Sequence, residues 1–214
     1  MSSKELKFAV SGSIVAKSTQ LSQTRELLVG GKTYVDAEPG TLHWFSFEIE
    51  AKAGEPARFG VFNGFATEAD RDVHQAGGLA RAAAANGDAL FEGPAVIEKV
   101  DLLASKVTPD AKAGIKFGVR VKLTAKPEHA GDVKAALLRL EQDVAREAGT
   151  PYWYAVAWPG TSTFGVFSVF YDEGSRQAYM LGSAVKKFIA ATEGSVTSAA
   201  EIDVLEVLAT KIVA

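Results

Sequence analysis

Residues 59–65, Phe-Gly-Val-Phe-Asn-Gly-Phe, recur 105 positions later as residues 164–170, Phe-Gly-Val-Phe-Ser-Val-Phe. The match extends without a gap over 59–107 and 164–212, and residues 8–48 match 117–157 at an offset of 109. The difference of four positions falls between 48 and 59, so the first copy has the longer loop there. The chain is therefore a tandem duplication, which determines the architecture far more than the activity.

Each copy has the periodicity of strand, helix, strand, strand, helix, strand. Residues 117–123 alternate apolar with small or charged side chains, which is typical of a half-buried strand. Pro127 then favours a helix start and Gly149 a helix end. Between them one apolar stripe recurs at steps of three and four, formed by Val133, Leu137, Leu140, Val144 and Ala148. The order indicates a ferredoxin-like βαββαβ unit.

The remaining strands and helices are predicted from residue composition and from glycines that interrupt the helical pattern. Residues 41–49 and 58–65 in the first copy, and 151–158 and 163–171 in the second, are rich in aromatic and β-branched residues. Final strands are predicted at 95–107 and 200–212. Acidic Glu68 and Glu173 lie in the first turn of each second helix, and Arg71 and Arg176 follow at helical pairing distance. Gly77-Gly78 and Gly182 interrupt these helices, which predicts two short helices with a bend.

The middle strands predict how the two copies are combined. In residues 59–65 both strand faces are largely apolar, and the same holds for 164–170. A sheet with helices on one side needs a cover on the other, and the other copy's sheet is the most economical one. The short connection from Thr108 to Gly114 favours tightly docked halves. We therefore predict an α+β chain of two repeats, 1–108 and 114–214, packed sheet to sheet.

Composition excludes several classes of function. The 214 residues carry a formal charge of −3 with no basic cluster, which predicts no nucleic-acid partner and no membrane partner. The absence of Cys excludes disulfides and thiolate sites, and three His residues leave little for a metal centre, so none is predicted. No signal-like or membrane-spanning apolar run is seen, so a cytoplasmic location is expected. Further homo-oligomerisation stays open.

Three stretches resemble a known family. Residues 38–44 (Glu-Pro-Gly-Thr-Leu-His-Trp), 59–62 and 69–77 (Ala-Asp-Arg-Asp-Val-His-Gln-Ala-Gly) look like the antibiotic biosynthesis monooxygenase (ABM) domain of the dimeric α+β barrel superfamily. The resemblance covers nearly the whole chain twice. It implies an intramolecular pseudo-dimeric α+β barrel. It also implies oxidation by O2, without a cofactor, of an apolar aromatic small molecule of the quinol or anthrone type.

The superfamily also contains isomerases, haem-degrading enzymes and members without a known reaction. The haem-degrading branch has an axial His late in the second helix, where this chain has Ala84, Ala85 and Asn86. The first-strand Asn of that branch would fall near Ser11, or Arg120 in the second copy. Haem is therefore a poor match, and no cofactor is predicted.

Differences between the copies indicate where a pocket lies. His74 corresponds to Tyr179, and His43 to Tyr152. Gly30-Gly31 corresponds to Arg139-Leu140, and two glycines inside a helix cost roughly 2 kcal/mol against alanine, which is more common at functional positions. We expect an open pocket in the first copy and a scaffold role for the second.

Within this pocket, His74 is the candidate base and Asn63 the candidate hydrogen-bond donor. Trp44 is expected to form an aromatic wall, and the candidate substrate-binding set is completed by Gly30, Gly31, Phe65 and His43. His43 is the weaker choice, because strand alternation places it opposite Trp44.

Structural roles are the alternatives for each of these residues. A helical His is often a hydrogen-bonded structural residue, and Trp or Phe side chains are core residues by default. Asn63 aligns with Ser168, so this position could simply bind water. His129 is expected on the surface. A ligand-binding or stress-associated barrel without turnover is the alternative function, and an isomerase or lyase is a weaker third.

Overall fold

A computed structural model describes residues 5–108 and 114–213. The first repeat contains, in chain order, β1 (Phe8–Val15), α1 (Leu21–Asp36), β2 (His43–Ile49), β3 (Arg58–Phe65), α2 (Glu68–Gln75), α3 (Gly78–Leu90) and β4 (Val96–Val107). The second contains β5 (Phe117–Thr124), α4 (Ala130–Val144), β6 (Tyr152–Ala157), β7 (Thr163–Phe170), α5 (Glu173–Met180), α6 (Ser183–Thr192) and β8 (Glu201–Ile212). Both repeats therefore have the predicted βαββαβ order.

The eight strands are hydrogen-bonded in the order β1-β3-β2-β8-β5-β7-β6-β4, which is a closed barrel. The ladders β1–β3, β2–β3, β5–β7 and β6–β7 are all antiparallel. This confirms the predicted fold class, an α+β barrel built from two ferredoxin-like repeats.

The chain divides into two compact units. One comprises the residues up to Val100 together with those from Leu205 onward, and the other is Asp101–Val204. These bounds differ from the repeats predicted at 1–108 and 114–214, because the last strand of each repeat begins in one unit and ends in the other. Residues 101–107 of β4 pair with β6, and residues 205–212 of β8 pair with β2. The connection from 109 to 113 lies outside the described residues.

The breaks in the second helices are confirmed. α2 ends before Gly77 and α3 begins at Gly78, while Gly182 separates α5 from α6. Thr67 and Asp172 cap α2 and α5, because their side chains accept hydrogen bonds from the backbone N–H of residues 70 and 175. The helix predicted from Pro127 to Gly149 is shorter: Pro127 opens a 3-10 turn, and α4 ends at Val144.

Each unit buries one helix stripe. α1 buries Thr24, Leu28, Gly31 and Val35, and α4 buries Val133, Ala136, Leu137, Leu140 and Val144. The middle strands β3 and β7 are buried on both faces apart from their first residues, as the sequence pattern predicted. Within the described ranges, none of the helices combines the length and apolar character needed to cross a membrane.

Candidate functional site

The first repeat contains a cavity of about 840 Å³ between its helices and the helix-facing side of β1 and β3. β1 and β3 contribute Val10, Ile14, Val61 and Asn63 to its lining, and β4 contributes Ile97. Side chains of this type form apolar walls, and the volume lies in the range that holds a drug-sized aromatic molecule. The cavity therefore fits an apolar ligand with few polar groups.

Small residues on α3 make this space. Ala80, Ala83, Ala84 and Gly87 line the cavity along the helix. The aligned residues on α6 are larger, namely Val185, Phe188, Ile189 and Thr192. In the second repeat the space between α4 and α6 measures only about 180 Å³, and Phe188 lines it. The first repeat thus has the smaller side chains on this helix and the larger space beside it.

The cavity is elongated along β1. Asn63 pairs with Val10 at one end, whereas Lys17 lies seven residues further along the chain, a separation of about 20 Å in an extended strand. At that far end Lys17 donates from Nζ to the carbonyl of Asp88 at 2.6 Å, and the carboxylate residue Glu92 also lines the opening. One end is therefore a charged rim, and the other contains His74 and Asn63.

His74 is held between two side chains. Its Nδ1 lies 2.7 Å from Oε2 of Glu38, and its Nε2 lies 3.0 Å from Nδ2 of Asn63. The imidazole is 7% exposed, and its ring centroid lies 5.4 Å from that of Phe65. Since the Asn63 amide N–H donates to Nε2, the remaining ring proton is on Nδ1 and is donated to Glu38.

Glu38 is itself oriented by its surroundings. Thr41 donates from Oγ1 to Oε2 of Glu38 at 2.7 Å, and Lys211 donates to the backbone carbonyl of Glu38 at 2.6 Å. Gly77 has no Cβ, and one there would collide with Oε1 of Glu38. A carboxylate fixed in this way orients the imidazole.

Asn63 has unused hydrogen-bonding capacity. The residue is fully buried and lines the cavity, and its Oδ1 has no hydrogen-bond partner within residues 5–108 and 114–213. A buried acceptor without a partner costs about 1–3 kcal/mol, so such a group usually meets a ligand or a water molecule.

The structure places the other predicted residues outside the cavity lining. Gly31 is buried, but a Cβ there would lie 3.0 Å from Leu79 and 3.2 Å from Trp44, so those side chains fill the space. Gly30 is on the exposed side of α1, where a Cβ would have no atom within 4 Å, so it does not face the cavity. Trp44 packs with Val35 and Leu79 in the core.

Phe65 contacts the ring of His74 from outside the cavity lining. His43 points away from His74, as strand alternation requires: its Nε2 lies 3.3 Å from the carbonyl of Val213. Burial lowers the pKa of His43 to about 4, so this ring is neutral at pH 7. His129 is 43% exposed beside Asp132, on the surface.

Two members of the site, Glu38 and Thr41, were not among the residues predicted from the sequence. Both are within the family-like stretch 38–44, and the same Glu-x-x-Thr spacing recurs as Glu147 and Thr150. There too the Thr hydroxyl donates to the carboxylate, at 3.0 Å. Recurrence of the pair could have identified it. No cluster of three or more His, Cys, Asp or Glu suited to a metal ion occurs in the described part of the chain.

Comparison with solved structures supports the fold. A protein of Fusobacterium nucleatum, provisionally named a monooxygenase, superimposes with a TM-score of 0.84 at 16% identity, over 97% of this chain and 94% of the other. A Lactobacillus acidophilus protein, also provisionally named a monooxygenase, superimposes with a TM-score of 0.79 at 14% identity, over 97% of each chain. An anthrone oxidase-like protein superimposes with a TM-score of 0.62 at 13% identity, over 99% of this chain and 95% of the other.

Neither a family model nor a curated protein matches the sequence. At these identities the structural comparisons concern the fold alone. The chain therefore shares the fold of these structures, with two ferredoxin-like repeats in one closed barrel.

Proposed function

We propose that this protein is a cofactor-free monooxygenase that oxidises a quinol- or anthrone-like aromatic molecule with O2. The single observation that carries the proposal is His74, which is hydrogen-bonded to Glu38 and Asn63 at one end of an apolar cavity of about 840 Å³. The fold is consistent with this proposal, because proteins provisionally named monooxygenases share it. An apolar slot, a base and a hydrogen-bond donor are the parts that such chemistry needs.

In this proposal His74 is the base. Its Nε2 lone pair, which accepts from Asn63 in the free protein, takes the acidic proton of the substrate, and the Glu38 carboxylate stabilises the resulting imidazolium. The amide of Asn63 then turns so that Oδ1 accepts from the new Nε2–H, which leaves its N–H groups for the substrate oxyanion. Catalytic hydrogen bonds of this kind commonly form only once substrate is bound.

The electron-rich anion reduces O2 directly. For an anthrone-like substrate the activated CH2 becomes a carbonyl: one oxygen atom of O2 enters the product, and the other leaves with the two hydrogens as water. The apolar walls exclude bulk water from the anion, which keeps the electrostatic interactions with Asn63 and His74 strong.

The test is oxygen uptake with anthrone under air, corrected for the uncatalysed oxidation measured without protein. We expect uptake and anthraquinone formation with the wild-type protein, and a loss of at least about 100-fold with His74→Ala. His129→Ala is the matched control, because this second histidine is on the surface, and it should keep full activity.

Two outcomes would overturn the proposal. Tight binding of anthrone without oxygen uptake would favour a ligand-binding barrel without turnover. Equal activity of His74→Ala and wild type, with both proteins folded by circular dichroism, would remove His74 from the reaction.

A further inference from the structure

The second repeat contains a buried phenol with a specific donor. Trp153 donates from Nε1 to the hydroxyl oxygen of Tyr179 at 3.0 Å. Both residues are buried, and Ser168 is directly opposite Trp153 in the β6–β7 ladder. Burial raises the pKa of the Tyr179 hydroxyl to about 12, against a smaller opposing effect of the hydrogen bond from Trp153. This phenol is therefore neutral and hydrogen-bonded within the core.

The first repeat has the same tryptophan in a frame of three aligned positions, but the other two positions hold different side chains. Trp44 aligns with Trp153, Asn63 with Ser168, and His74 with Tyr179. Trp44 and Asn63 are directly opposite each other in the β2–β3 ladder, like their counterparts. Their side chains are therefore on the same face of the sheet, about 5 Å apart at Cβ.

Two buried polar atoms in this frame lack partners. Across residues 5–108 and 114–213, neither Nε1 of Trp44, a donor, nor Oδ1 of Asn63, an acceptor, forms a hydrogen bond. Both residues are 0% exposed. In the second repeat the indole N–H is satisfied by the Tyr179 hydroxyl, whereas His74 has a shorter ring and no hydroxyl. The pair is thus a donor and an acceptor that match one O–H group.

We propose that the first repeat binds the hydroxyl group of a phenolic ligand between Trp44 and Asn63, at the position that the Tyr179 hydroxyl holds in the second repeat. The ligand oxygen accepts from Nε1 of Trp44, and its O–H donates to Oδ1 of Asn63. The aromatic body of the ligand then extends into the cavity that Asn63 and His74 line. The Tyr179 hydroxyl shows the first of these two hydrogen bonds, because it accepts from Trp153, whereas Oγ of Ser168 has no hydrogen-bond partner among the described residues.

This inference deepens the proposed function and rests on it only in placing the ligand in the same cavity. It gives Trp44 a role as a hydrogen-bond donor rather than an aromatic wall. It also places the O–H proton of the ligand on Asn63, whose Nδ2 lies 3.0 Å from Nε2 of His74, so the ligand hydroxyl lies close to the proposed base.

Equilibrium binding without oxygen tests the inference. The probes are 1-naphthol and naphthalene, which share the ring system and differ by one hydroxyl. We expect the wild-type protein to bind 1-naphthol about tenfold more tightly than naphthalene, since one or two hydrogen bonds are added. Trp44→Phe should remove most of this preference and leave naphthalene binding unchanged. Trp153→Phe, the equivalent change in the second repeat, should keep the preference.

Thermal stability without ligand gives a second, independent readout. His74→Tyr should be more stable than His74→Phe, because only tyrosine brings a hydroxyl to Nε1 of Trp44. His74→Tyr should also lose the preference for 1-naphthol, since its own hydroxyl fills the position. This comparison remains decisive if Trp44→Phe does not fold.

Equal affinities for 1-naphthol and naphthalene in the wild-type protein would overturn the inference and indicate that the position holds only water. Equal stability of His74→Tyr and His74→Phe would also contradict it. Since no turnover is measured, failure of the oxygen-uptake assay leaves this result intact. Conversely, oxygen uptake without a hydroxyl preference would overturn this inference alone.

Discussion

Ala83 lines the large cavity at the helix position that Phe188 occupies in the second repeat. The phenyl group of Phe188 faces a space of only about 180 Å³ between α4 and α6. The duplicated chain thus has a small side chain at this helix position in one repeat and a large one in the other. The residues that differ between the repeats define direct experiments.

Ala83→Phe should close the cavity. We expect 1-naphthol affinity to fall by at least about tenfold, and the free energy of unfolding to stay within about 1 kcal/mol of wild type, because the ring enters open space rather than a packed core. Isothermal titration and urea unfolding measure the two quantities. Ala85→Phe is the control, since Ala85 is exposed and does not line the cavity. Unchanged affinity in Ala83→Phe would mean that the ligand binds elsewhere.

Glu38→Gln tests the carboxylate beside His74. Glutamine can still accept the Nδ1–H, but it lacks the negative charge that stabilises the imidazolium, so oxygen uptake with anthrone should fall by about 100-fold. Glu147→Gln is the matched control, because its carboxylate accepts from Thr150 in the same way but belongs to the repeat with Tyr179. Equal losses in the two variants would indicate a structural rather than a catalytic effect.

The barrel was predictable because the duplication covers nearly the whole chain and the strand pattern occurs in both copies. Residues 59–65 and 164–170 are apolar on both faces, which requires cover on both sides whatever the details of packing. The helix breaks were predictable for a local reason, since Gly77 and Gly182 interrupt the helical pattern.

The cavity could be predicted only in part, because its volume depends on paired substitutions. Gly31 indicated missing volume on α1, but Leu79 fills that place, and Ala184 stands at the equivalent position opposite Leu140. The space instead arises at Ala83 and its neighbours on α3. Which side chain fills a gap depends on contacts between helices, and a single helical pattern does not contain that information.

His43 should make stability depend on pH. Its pKa is about 4 in the folded protein and about 6.5 when unfolded, so below pH 6.5 the unfolded chain binds the extra proton. The stability that depends on neutral His43 is fully present above pH 6.5 and is lost as the pH falls towards 4. At pH 4 the free energy of unfolding is lower by about 3 kcal/mol for this reason. Urea unfolding between pH 7 and 4 should show a shallower decline for His43→Gln than for wild type. A constant difference between the two proteins would refute this.

The first repeat has Gly31 on α1 and Leu79 on α3, whereas the second has the large residue Leu140 and the small residue Ala184 at these positions. This exchange of volume predicts that the effects of substitutions at residues 31 and 79 on the free energy of unfolding are coupled. Gly31→Leu should lower the free energy of unfolding by about 2 kcal/mol, because its side chain would meet Leu79 and Trp44 at the positions where a Cβ already lies 3.0–3.2 Å away. Leu79→Ala should cost about 2–4 kcal/mol by leaving a gap. Together they recreate the Leu140 and Ala184 arrangement of the second repeat, so the double variant should be at least about 1 kcal/mol more stable than the sum of the single changes predicts.

Gly30→Leu separates packing from helix propensity in that cycle. Gly30 lies next to Gly31 on the same helix but has open space around it, so leucine there should stabilise the protein by up to about 1 kcal/mol through propensity alone. It should also show no coupling to Leu79→Ala. Strictly additive effects of Gly31→Leu and Leu79→Ala in urea unfolding would contradict the exchange, because two side chains competing for one volume cannot act independently.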